Sequence, residues 1–205
     1  MRFLFVLILA LASFATTAFA QASELEIVLD CSGSMMSPVD GRARITVAKE
    51  TLLALLEKIP EGTRVGFRAY AHRYPVGQEE SSRAKSCQDT ELLVPIGPIQ
   101  KQAIREKVTA LKCVGMTPIA YSLEVAAGDF AKGDLERTII LLSDGKETCG
   151  GDSVALLKKL KAMGFKVVVH VIGFAVDAST AQELTQIAVA GGGKYYDAKK
   201  AEQLA

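Results

Sequence analysis

The sequence predicts an α/β domain: a doubly wound, mostly parallel sheet of about six strands flanked by helices. Two observations lead there. Strand-like and helix-like segments alternate along nearly the whole chain. The runs Thr138 to Leu142 and Lys166 to Ile172 are apolar without the alternation of a half-exposed strand, which means that both their faces are covered.

In chain order, Glu24 to Asp30 is the first strand, and Ile45, Ala48, Leu52, Leu55, Leu56 and Ile59 recur at helical spacing until Pro60 stops them. Val65, Phe67 and Ala69 alternate within Arg64 to Ala71. Leu92, Leu93, Val94 and Ile96 mark another strand, and Gly77 to Asp89 between the two reads as a solvated loop. Ile104, Val108 and Leu111 place a helix over Ile99 to Leu111. Pro118 suits the first turn of the next helix, which runs to about Phe130. The apolar strand that follows ends at Ser143, Asp144 and Gly145. Then come a helix over Val154 to Met163, the strand Lys166 to Ile172, a helix over Ala178 to Val189 and a short strand, Lys194 to Asp197.

With 205 residues, 49% hydrophobic and 23% charged, the composition is that of an ordinary globular protein. The first twenty residues stand apart: Arg2, then FLFVLILALASFA, then small residues ending Ala18, Phe19, Ala20. A charged start, a short apolar centre and an A-x-A end are the pattern of a cleaved secretory signal peptide. Residues 1–20 are therefore expected to be the leader and 21–205 one domain, exported to the periplasm or secreted. No stable membrane span remains after cleavage. Lys and Arg number 24 against 23 Asp and Glu, so the chain offers no basic field for nucleic acid or anionic lipid.

In a sheet of this kind ligands bind beyond the carboxyl ends of the strands. The stretch DCSGSMMS, Asp30 to Ser37, follows the first strand, and Asp144 follows a later one. Asp30, Ser32 and Ser34 could supply a nucleophile, a phosphate cradle, metal ligands or the polar residues of a turn. A carboxylate and two neutral hydroxyls from one tight turn, with Gly33 permitting unusual backbone angles, form a ligand set for a hard cation such as Mg²⁺. Mn²⁺ or Ca²⁺ could occupy the same oxygens.

Three segments together resemble the von Willebrand factor type A family: Asp30-Cys31-Ser32-Gly33-Ser34 after an apolar strand, Thr117 in GMTPIA before a helix, and Asp144 in LLSDG. The likeness runs over roughly residues 24 to 198. The resemblance implies a metal-ion-dependent adhesion site built from Asp30, Ser32, Ser34, Thr117 and Asp144. It also implies that a protein partner supplies an Asp or Glu to the ion, and that the outcome is binding, not bond breaking. YAHR, CQDTELL, SDGKETCGGD and HVIGF are similar to bacterial exported members of the family, and the similarity implies a disulfide between Cys87 and Cys149. Cys31 and Cys113 depart from that group. A second disulfide joining their loops and two separate thiols both remain open.

His72, at a strand end, is placed to steady the metal ligands from behind or to meet a ligand. His170, inside VVVHVIGF, reads as a core or hydrogen-bonded residue. The alternatives to a binding module are a hydrolase or phosphotransferase, and a structural envelope component working without metal. No G-x-S-x-G elbow is present, and AGGGKYY lacks the spacing and the final Ser or Thr of a phosphate-binding loop, so an enzyme is not expected.

Overall fold

The computed structural model describes residues 23–198 apart from 132 and 134. The expected leader, residues 1–20, lies outside the described residues. The central sheet has six strands in the order β5-β4-β1-β6-β7-β8. These are β1 (Ser23–Asp30), β4 (Arg64–Tyr70), β5 (Thr90–Pro98), β6 (Glu136–Ser143), β7 (Val167–Gly173) and β8 (Gly192–Asp197). The small strands β2 (Pro38–Val39) and β3 (Arg42–Ala43) form a separate antiparallel ribbon.

β1 pairs in parallel with β4 on one side and β6 on the other, and β5 alone runs antiparallel, at an edge. An edge strand tolerates Pro95 and Pro98, which cannot donate to a neighbour.

Alternation along β1 divides the molecule. Leu25, Ile27 and Leu29 face the layer of α1 (Arg44–Lys58) and α3 (Lys101–Ala110), where Leu52, Leu56, Ile104 and Val108 are buried. Val28 faces the layer of α4 (Ile119–Asp129), α5 (Ser153–Ala162) and α6 (Ala178–Ala190) with Leu123, Leu157 and Leu184. On that face β1 also buries Glu24 and Glu26. Arg68 of β4 donates to Glu26 at 2.8 Å and pairs with Asp129 of α4, while Arg64 donates to Glu24 at 3.0 Å. Burial pushes the Glu26 carboxyl up to about 8, outweighing the pull of an arginine that Asp129 shares.

The stretch from Gly77 to Asp89 is not the solvated loop expected from its polarity. It contains α2 (Glu80–Ser86), and both Ser86 and Asp89 are buried. Asp89 accepts the backbone and side-chain N–H of Arg73, each at 2.7 Å, and Ser86 Oγ accepts the N–H of Met116 at 2.7 Å. These bonds stitch the segment to the strand ends beside it.

Candidate metal centre

Strand order reverses at β1: the chain crosses to β4 on one side and later returns to β6 on the other, which opens a crevice at the carboxyl ends of β1 and β6. Asp30 ends β1 and Asp144 follows β6, so the two carboxylates meet there.

Asp30 is fully buried, and each of its oxygens accepts a hydrogen bond. Its Oδ1 accepts the Ser32 N–H at 2.7 Å, and its Oδ2 accepts the Ser143 hydroxyl at 2.6 Å. The hydroxyls of Ser32 and Ser34 lie 3.0 Å apart, and Ser34 donates to Asp144 Oδ1 at 2.7 Å. The other Asp144 oxygen accepts Arg44 Nη1 at 2.7 Å. Thr117 joins them. A Cβ built on Gly145 would lie 3.5 Å from Ser34 Oγ and 3.8 Å from Thr117 Oγ1, so both hydroxyls border this glycine. Asp30, Ser32, Thr117 and Asp144 are buried whereas Ser34 is exposed, which leaves the cluster open on one side.

Backbone contacts hold the three loops in this arrangement. Ser32 and Gly115 form a parallel bridge, and Gly33 N–H donates to Gly115 C=O at 2.9 Å. Thr117 N–H donates to Thr148 Oγ1 at 2.7 Å and its C=O accepts from Thr148 N–H. Glu147 accepts the N–H groups of Ala120 and Cys149, capping the start of α4. Gly115 has no room for a side chain: a Cβ would stand 2.7 Å from Ser86 Oγ and 2.9 Å from Ala71 Cα. Gly115→Ala is therefore expected to cost about 1–3 kcal/mol in chemical denaturation, as overpacking does. An unchanged midpoint would show that the loops can separate freely.

The donor set is all oxygen, with two carboxylates and three hydroxyls, which fits a hard divalent cation better than a soft one. Among the described residues no group of three or more His, Cys, Asp or Glu side chains could hold a metal, so any ion here would depend on the hydroxyls. Burial, and then the charge of Asp144, push Asp30 up to about 6. A cation held by the Asp30 carboxylate competes with that proton, so affinity should level off about a unit above pH 6 and fall towards tenfold per unit below it. Calorimetric Mg²⁺ titrations between pH 5 and 8 check this. For stability the sign is opposite. The folded state keeps its proton above the ordinary 3.8, so metal-free stability declines as pH rises from about 4 to about 6.

Cys87 and Cys149 are joined by a disulfide, Cα–Cα 5.4 Å, which ties the end of α2 to the loop after Asp144. The second disulfide considered for Cys31 and Cys113 is not formed; both are separate buried thiols. Alternation after Asp30 turns Cys31 into the layer of α1 and α3, away from the oxygen cluster. Its hydrogen bond to Cys113, together with burial, favours the protonated Cys31 thiol and pushes it well above its ordinary range, which makes it a poor nucleophile.

The Nε2 of His72 lies 3.2 Å from Glu91 Oε2 of β5, and its buried Nδ1 has no hydrogen-bond partner among the described residues. His170 accepts the Lys194 N–H at 3.2 Å, a structural role. Arg44, Ser143, Glu147 and Thr148 carry no sequence signal of their own. A cleft of about 800 Å³ at the opposite end of the sheet, lined in part by Glu136, Phe165 and Val168, shares no residue with the cluster.

Residues 24–205 match the family model of the von Willebrand factor type A domain. The chain is 33% identical over 198 residues to YwmD of Bacillus subtilis (strain 168), an uncharacterized protein, covering 93% of this chain and 87% of that one. Among solved structures it is similar to the conserved hypothetical protein BatB from Bacteroides thetaiotaomicron, with TM-score 0.67, 18% identity, and 89% and 95% of the two chains covered. It is also similar to proximal thread matrix protein 1 of the mussel byssus, solved with a zinc-occupied MIDAS motif. There the TM-score is 0.64 and the identity 17%, with 89% of this chain and 46% of that one covered.

Proposed function

Because the chain belongs to the von Willebrand factor type A domain family, we propose that it is an exported binding protein whose Asp30, Ser32, Ser34, Thr117 and Asp144 hold a divalent cation. An acidic residue of a protein partner completes the ion's shell. The observation that carries this reading is the linked set of oxygens at the strand ends, Ser32 Oγ to Ser34 Oγ and Ser34 Oγ to Asp144 Oδ1, with Thr117 Oγ1 beside Gly145 of the same loop. A bound ion supplies a Lewis-acidic coordination position that neutral hydroxyl ligands leave strongly attractive to a carboxylate. Mg²⁺ suits the oxygen set best, with Mn²⁺ and Ca²⁺ as the other hard candidates. The zinc in the mussel protein's motif supports a divalent ion in a site of this fold.

The residues themselves favour binding over turnover. Among the described residues the Ser32 hydroxyl is bonded to that of Ser34, Ser34 donates to Asp144, and the bonded partners of His72 and His170 are Glu91 and the Lys194 N–H. Neither serine hydroxyl is hydrogen-bonded to a histidine, the base of a Ser-His-Asp arrangement. Export is supported by the leader pattern and by the Cys87–Cys149 disulfide, and no helix among the described residues is long and apolar enough to cross a membrane.

The test is capture from native envelope and culture fluid with the purified protein, in Mg²⁺ and in chelator. The expected result is a partner retained in Mg²⁺, released by chelator and absent with Thr117→Ala. Equal capture under all three conditions would overturn the reading.

A further inference from the structure

Arg44 opens α1, and its guanidinium reaches into the crevice. Nη1 donates to Asp144 Oδ2 at 2.7 Å, and the side chain is only 24% exposed. Its position runs against two ordinary preferences. A cation in the first turn of a helix opposes the helix dipole, and α1 has no acidic residue in its first turn to offset it. The Nε group is also buried without a hydrogen-bond partner among the described residues. A local arrangement that breaks such rules points to a role at the site it serves.

The chain goes to some length to put Arg44 there. The ribbon of β2 and β3, turning through Asp40 and Gly41 at positive φ, returns the backbone so that Arg44 N–H donates to Ser37 C=O at 3.0 Å. The neighbouring Arg42 pairs instead with Glu50 on the surface. Arg44 thus places a fixed positive charge on the same carboxylate that a divalent cation would share.

We propose that Arg44 sets the cation affinity of this site by competing with the ion for Asp144. The guanidinium offsets the charge of Asp144, which otherwise faces Asp30, and the same positive charge weakens a cation that shares Asp144. The proposal rests on the reading of the five oxygen residues as ligands. Arg44 is a positioning residue, acting through Asp144 without being a ligand itself.

Arg44→Gln and Arg44→Lys separate the possibilities when Mg²⁺ alone is titrated by calorimetry at pH 7.5 and thermal unfolding is followed in chelator and in saturating Mg²⁺. Arg44→Gln should bind Mg²⁺ at least about tenfold more tightly. It should melt lower than wild type in chelator, and the gap should narrow in Mg²⁺. Arg44→Lys keeps the charge without the planar fork and should fall between the two. If Arg44→Gln does not fold, the lysine variant decides alone. Wild-type binding with equal or weaker affinity in the variants overturns the role of Arg44 and leaves the metal site standing. No Mg²⁺ or Mn²⁺ binding by wild type or either variant removes the ligand reading and this proposal with it.

Discussion

Asp144→Ala is expected to erase the stabilisation that Mg²⁺ gives the wild-type protein. At a free ion concentration of 100 times Kd, a single site adds about 2.7 kcal/mol to wild-type stability, and the variant should gain nothing. Asp144 is the residue through which the cluster is joined: one oxygen accepts the Ser34 hydroxyl and the other the Arg44 guanidinium. Without it Ser34 loses its anchor, and Arg44 faces the crevice with no countercharge. The metal-free variant is subject to two opposed changes, the loss of that ion pair and the relief of the charge that raises Asp30. The informative quantity is therefore the Mg²⁺-dependent shift in unfolding midpoint. A full shift in the variant would mean that Asp144 is not part of the ion's environment.

The second large effect concerns the disulfide. Replacing Cys87 and Cys149 together by serine releases a closed loop of 62 residues, worth about 4 kcal/mol in the chain-entropy model. Against a typical total of about 5–15 kcal/mol this is a large share of the protein's stability. The loss should not remain global. Cys149 N–H is held by Glu147, which also caps α4, and the adjacent Thr148 fixes the backbone of Thr117. Loosening that loop should weaken Mg²⁺ binding as well as stability. Urea denaturation of the double variant, and of wild type under reductant, should give matching lowered midpoints. An unchanged midpoint in both would show that the crosslink constrains little.

The strands and long helices were legible because burial leaves a periodic trace. Thr138 to Leu142 is apolar throughout since helices cover both faces of β6, and α1 shows its core positions at Ile45, Ala48, Leu52 and Leu56. The helix α2 left no such trace. Its sequence, ESSRAKS, is polar, and it buries little beyond Ser86. The glutamates of β1 were legible as strand residues but not as members of a buried charge network, since their partners Arg64, Arg68 and Asp129 come from other elements.

The site divides in the same way. Asp30, Ser32 and Ser34 stand together in one turn, and a strand-end position singles out Asp144. Thr117 sits in a loop with no periodic signal, and only the family resemblance brought it in. Arg44 and Ser143 could not be found from the chain alone, because their roles rest on closeness to residues 100 and 113 positions away. The bond of His72 to Glu91 was not legible either, because adjacency to a strand end does not determine which way the following turn aims a side chain.

The central claim is that five oxygen-bearing residues form one cation site. Calorimetric titration of Mg²⁺ into wild type and Thr117→Ala at pH 7.5 tests it most directly. The hydroxyl of Thr117 is the one proposed ligand from outside the two carboxylate loops. One site per chain in wild type, lost in Thr117→Ala while the unfolding midpoint in chelator stays within a few degrees, is the predicted result. Undiminished binding by Thr117→Ala, or no binding by wild type, would contradict it.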